Sequence, residues 1–149
     1  MKRLFYLVIC TGLLISCNQN NNQEATNDSL THDEANTTAL SLNNGAKWKA
    51  DTATNQHVTD LRTIADNFKI QPSPSLNEYA ILGNDLNNSL QKMIQECKMT
   101  GADHEALHHW LEPVLKETNE LKNTKDATAA RKNFDHIDAQ IDAFHTYFE

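Results

Sequence analysis

Beyond about residue 50, apolar side chains recur at steps of three and four with polar positions between them, the period of a helix that buries one face. The last such run is the most regular. Ala127, Ala130, Phe134, Ile137, Ile141, Phe144 and Phe148 alternate the two steps without a fault, and the pattern predicts a helix starting near Asp126. Before it, Leu107, Leu111, Val114, Thr118 and Leu121 outline a third helix, opened by the weak capping signal Thr100-Gly101-Ala102-Asp103. Pro113 lies inside that run and predicts a kink near His109, whose carbonyl loses its helical donor. Tyr79, Leu82, Leu86, Leu90, Met93 and Cys97 form the second stripe. Ser75-Leu76-Asn77-Glu78 ahead of it reads as a capping box, hydroxyl at the cap and glutamate three residues on. The first stripe, from about Asn55 to Lys69, carries His57, Leu61, Ile64, Ala65 and Phe68 and stops before Pro72 and Pro74.

Four helices joined by short connections pack as antiparallel neighbours, so residues 39–149 are expected to form an all-α, up-down-up-down four-helix bundle. Roughly 100 ordered residues support one core. No segment alternates as a strand should, and no internal repeat is evident. Leu40-Ser41-Leu42, the turn signal Asn43-Asn44-Gly45 and Trp48 predict a short strand-like or irregular lead-in whose indole closes one end of the core. The fourth helix keeps a heptad for only about three repeats, which is short for a coiled-coil dimer.

The start of the chain has a different character. Lys2 and Arg3 precede the apolar run Leu4–Ile15, which is too short to cross a bilayer of roughly 30 Å. The run ends in Leu14-Ile15-Ser16-Cys17, which resembles the lipobox of bacterial lipoproteins. That resemblance implies that residues 1–16 are a signal peptide and that Cys17 is diacylated as the first mature residue. It also implies that the protein is held to a membrane of the bacterial envelope, facing the periplasm. Residues 17–38 are rich in Asn, Gln, Thr, Asp and Glu and nearly devoid of apolar side chains. Such a stretch buries too little surface to offset its ordering entropy and is expected to be a flexible tether.

Removing Lys2 and Arg3 from the 13 basic residues leaves 11 against 20 acidic ones, a formal charge of −9 for the mature chain. With no basic patch, that balance argues against a nucleic-acid binder and favours the approach of cations. Of the three cysteines, Cys10 falls in the signal and Cys17 would carry lipid, so Cys97 is the one remaining thiol. Without an intramolecular partner it is a small core residue, a metal ligand or a reactive thiol.

Up-down topology brings the start of the first helix, the end of the second, the start of the third and the end of the fourth to one end of the bundle. Those positions hold His57, Cys97, His104 with His108, and His145, with Met99 in the adjoining loop. His104 and His108 stand four apart and share a helix face. The expected metal ligands are Cys97, Met99, His104 and His108, with His57 and His145 as secondary candidates. Thiolate, thioether and imidazole together favour copper, and zinc is the alternative through Cys97, His104 and His108. Haem has weaker support, because there is no C-x-x-C-H attachment site. The plain structural reading stands beside these: a cysteine on an apolar stripe also suits a core, and histidines at helix ends also cap carbonyls or stay solvated.

His104-Glu105-Ala106-Leu107-His108 matches H-E-x-x-H, the zinc-peptidase pattern, but it opens a helix directly after Gly101 in a domain without a sheet. The match is read as incidental, and no enzymatic activity is expected. Met99-x-Gly101-x-x-His104, then Trp110, then Arg131-x-x-Phe134 with a helical tail is similar to an uncharacterised helical domain of bacterial envelope proteins, some of them heavy-metal efflux adaptors. The resemblance spans about residues 93–148 and implies an envelope bundle with a metal connection, with an envelope metal-efflux protein among its partners. Cys97, His108 and His109 have no place in its motif. The expected function is therefore a lipid-anchored bundle that binds a soft transition metal as carrier, buffer or sensor. The alternative is a structural or interaction lipoprotein without metal.

Overall fold

Asp51 decides where the first helix begins. In the computed structural model, which describes residues 39–149, its Oδ1 accepts the Thr54 amide at 2.7 Å and caps α1, Thr52–Lys69. This start lies ahead of the expected Asn55, because the apolar stripe marks the buried face and says nothing of the cap. Residues 1–38, on which the expected signal peptide, lipidated Cys17 and tether fall, lie outside the described residues.

Helix α2, Leu76–Glu96, begins at the expected capping box: Ser75 N donates to Glu78 Oε2 at 2.6 Å, and Glu78 N donates to Ser75 Oγ at 3.3 Å. Helix α3, Gly101–Asn123, runs through Pro113 as one helix. Thr100 occupies its N-cap without a side-chain hydrogen bond, and Gly101 takes φ +67°, a conformation that disfavours any side chain. The Asp103 carboxylate instead accepts the Lys49 amide at 3.0 Å, fastening the lead-in to α3. Helix α4, Ala127–Tyr147, is capped by Asp126, whose Oδ1 accepts Ala129 N at 2.7 Å. No helix of the described residues is long and apolar enough to cross a membrane.

Each helix packs on its neighbours in the chain, α1 closes the ring on α4, and α2 touches α4 across the centre. The four-helix bundle read from the stripes is the fold observed. Leu61, Ala65, Leu86, Leu90, Val114, Ala130, Ile137 and Phe144 have no solvent exposure at all. Aromatic rings fill both ends. Phe68, Tyr79 and Phe134 meet at one, with Phe68 centred 5.0 Å from each of the other two. Trp110, Phe144 and Phe148 meet at the other. The Trp110 indole N–H, buried with its ring, donates to the Gln140 carbonyl at 2.8 Å.

The lead-in is strand-like, as expected. Asn43 and Ala46 exchange two backbone bonds of 2.9 Å around Asn44 and Gly45, both at positive φ, as in a type I′ turn. Trp48 N donates to Tyr147 O at 2.8 Å, and Glu149 N donates to Trp48 O at 2.9 Å, so the lead-in lies beside the last residues of the chain. The half-buried Trp48 ring packs on the core. On the α1–α4 side, Arg62 bonds Asp138 and Asp142, and Lys69 reaches Asp138 at 3.0 Å. Burial opposes ionisation of Asp138, but these cations outweigh it and hold its pKa below the ordinary value.

Asp51 does more than cap. Its Oδ2 accepts the Lys98 amide at 2.7 Å, tying the start of α1 to the α2–α3 connection. Burial opposes its charge, yet the amide bonds from Thr54 and Lys98 prevail, and its pKa falls below the ordinary 3.8. The folded state therefore holds the charged form better than the unfolded chain does. That contribution is complete above the unfolded value and is lost as the pH falls through the folded one. Asp51→Ala should cost about 1–3 kcal/mol near neutral pH, combining a lost cap with a lost cross-connection. In thermal melts the variant should also lose less stability than the parent between about pH 5 and about pH 2. Equal losses would mean that Asp51 carries no part of the acid sensitivity.

Candidate metal centre

The residues of the expected cluster differ in the contacts they make. Cys97 is the C-cap of α2, on extended backbone at φ −61° and ψ 128°, with its amide bonded to Met93 O. Its thiol is free, and the half-buried side chain packs against the core. Met99, also half-buried, accepts the Thr54 hydroxyl on its Sδ at 3.6 Å. Thr54 is completely buried, so this bond satisfies a polar group in the interior.

His57 is only 7% exposed, and both ring nitrogens face carboxylates. Nε2 lies 2.9 Å from Glu96 Oε2 and Nδ1 lies 3.8 Å from Asp60 Oδ2. A carboxylate only accepts, so Nε2 carries the hydrogen toward Glu96 and links α1 to the last residue of α2. His145 is exposed near the end of α4, where its carbonyl accepts the Lys47 ammonium. His136 faces Glu117 at 3.4 Å on the outer surface.

His104 and His108 do come together. Their Nε2 atoms are 3.2 Å apart, their ring centroids are 4.6 Å apart, and the ring planes cross at 70°. One ring N–H donates to the lone pair of the other. His104 is half-exposed and His108 exposed, so both reach solvent from the first turns of α3. Zinc bonds imidazole at about 2.0–2.1 Å, and an ion at that distance from both nitrogens would subtend about 99–106°, close to the tetrahedral angle. Among the described residues no three His, Cys, Asp or Glu side chains converge as a metal-holding group. Of the expected ligands, His104 and His108 are the two whose ring nitrogens stand in direct contact. No family model, no curated protein and no solved structure matches this chain.

Two residues that organise this end escaped the reading of the stripes, Asp51 and Glu96. Asp51 had a signal in Asp51-Thr52-Ala53-Thr54, an acidic residue before a helical run. Glu96 had none, since its bond to His57 crosses between helices.

Proposed function

We propose that this chain is a lipid-anchored envelope protein whose bundle binds a transition-metal ion through His104 and His108, as a carrier, buffer or sensor. The observation that carries the reading is the 3.2 Å span between the imidazole nitrogens of half-exposed His104 and exposed His108 on one helix. The donor set decides among metals. Sulfur and nitrogen ligands counted together favour copper, and the sulfur among them points to Cu(I). Met99 Sδ is engaged by Thr54, and Cys97 does not join the histidines in a three-donor group. Imidazole alone suits Zn(II) and Cu(II). The angle favours zinc, and the general affinity order favours Cu(II). The anchor rests on the lipobox resemblance at Cys17 and on no other observation.

Calorimetric titration of the purified protein with Zn(II) and Cu(II) tests the site. Even residues that merely support metal ligands cost about 10- to 100-fold in affinity when removed, so His104→Ala or His108→Ala should cost at least that. The two losses should not add, because each leaves a single weak donor. His136→Ala should change little. Binding should weaken as the pH falls, since protons compete for both ring nitrogens. If both variants take up metal like His136→Ala, the site is abandoned. In the same preparations, Cys17→Ala should block processing or move the protein to the soluble fraction, and unchanged fractionation would remove the anchor.

A second reading has one observation in its favour. Ile70 and Ile81 are 81% and 51% exposed, and with Leu76 they lie about the α1–α2 connection, at the end of the bundle away from the histidines. An interaction lipoprotein without metal would use such a surface, and it is the reading that remains if metal titration fails.

A further inference from the structure

A chelate of two imidazoles leaves half of a zinc ion's coordination sphere unfilled. Structural zinc takes four protein donors and catalytic zinc takes three. No third His, Cys, Asp or Glu of the described residues joins His104 and His108. His108 is exposed and His104 half-exposed, so the remaining coordination positions are open to groups from outside the bundle.

One large apolar side chain is exposed on the α2–α3 side of this end. Gly83 of α2 lies against Lys122 of α3, which marks the side of α3 that faces α2. His104 precedes Lys122 by five turns of 3.6 residues, so it lies on that same side. Ile94 follows Gly83 by about three turns and therefore lies on the α3-facing side of α2. It is nevertheless 44% exposed. The helices are antiparallel, so by the Gly83–Lys122 register Ile94 falls opposite about residue 111 of α3, roughly one turn beyond His108. An exposed isoleucine about one turn along the helix pair from His108 offers an apolar contact on the same α2–α3 side as the metal bond.

Building on the metal reading, we propose that a second copy of this chain completes the site, so that one zinc ion joins two molecules through His104 and His108 of each. A two-fold axis through the ion places the same patch on both sides, and the four nitrogens complete a tetrahedral set. The axis also brings each Ile94 toward the partner surface. Charge makes the association conditional. The chain carries a formal −7, and Glu105 and Glu112 flank the histidines on the exposed part of α3. Two such surfaces repel one another until a cation lies between them. Zinc is therefore the switch for pairing as well as the ligand. No bond is made or broken beyond coordination: the hydrogen shared between the two Nε2 atoms moves to an Nδ1, and each Nε2 lone pair goes to the metal.

The test is light scattering on the full-length protein, in enough detergent that each micelle holds one chain, with Zn(II) added and then removed by EDTA. The expected result is a monomer without zinc, a dimer at one zinc per two chains, and a return to monomer with EDTA. His104→Ala and His108→Ala should stay monomeric at every zinc level. Ile94→Asp should still bind zinc but dimerise at least about tenfold more weakly, as apolar interface anchors do when replaced. Binding of one zinc per chain without dimers would overturn the shared site and leave the metal reading intact. Loss of that binding in Glu112→Gln would then name a third ligand within the chain. No zinc uptake at all would overturn both. Dimers that ignore EDTA and persist in His108→Ala would mean that the apolar patch pairs without a metal.

Discussion

Phe144→Ala lowers the free energy of unfolding by about 3–5 kcal/mol, the usual cost of truncating a fully enclosed ring. Phe144 has no exposed surface. It meets Trp110 edge to face at a centroid distance of 4.9 Å and stacks on Phe148 at 4.6 Å, with planes 11° apart. Removing it leaves a cavity and takes a neighbour from both rings at once. Phe148 is also where the lead-in pairs with the end of α4, through the Trp48 bridge. The damage should therefore reach the Trp48 segment as well as the core. A domain of this size has roughly 5–15 kcal/mol of stability in all, so the variant should unfold at much lower urea. A loss below about 1.5 kcal/mol in urea titrations would mean that the ring is not a central core residue.

Gly83→Leu should cost about 2–3 kcal/mol, at the upper range of overpacking. Even Gly83→Ala should destabilise, against the local preference of a helix. Two effects oppose one another at this position. Replacing glycine inside a helix by alanine favours the helix by about 1 kcal/mol. A Cβ at residue 83, however, would lie 2.8 Å from Lys122 Cγ, 3.0 Å from its backbone N and 3.2 Å from its Cα. The lysine side chain can swing aside, but the backbone atoms move only if α3 moves with them. Overpacking of this kind costs about 1–3 kcal/mol, enough to outweigh the propensity gain. Thermal melts of the alanine and leucine variants check the order. A more stable alanine variant would show that α2 and α3 separate at no cost.

The candidate site was legible only as far as helical geometry reaches. Spacing of four placed His104 and His108 on one ridge, and the structure keeps their rings together. The sulfur donors are placed at the same end by topology rather than by spacing, and topology does not say which groups they touch. Cys97 continued the stripe of α2 by count, but it lies one residue past the last helical turn, where the backbone is extended. Past that point the period of 3.6 no longer says where a side chain goes. Met99 sits in a connection with no period at all, and its partner Thr54 is in a different helix. His57 was placed correctly near the end of the bundle, yet Glu96 holds it, a pairing that depends on how α1 and α2 meet.

By itself the sequence determined the number of helices, the buried face of each and their antiparallel order. Local rules suffice for these: the unbroken stripe from Ala127 to Phe148, the Ser75–Glu78 box and the short connections each act within a few residues. The tertiary structure alone decided which polar groups meet between helices, and how near the helices come. It set Met99 on Thr54, His57 on Glu96, Asp51 across to Lys98, and Gly83 against the Lys122 backbone. Such contacts follow from the translation and rotation of one helix against another. Many side chains contribute to those together, and no periodicity in one segment records them.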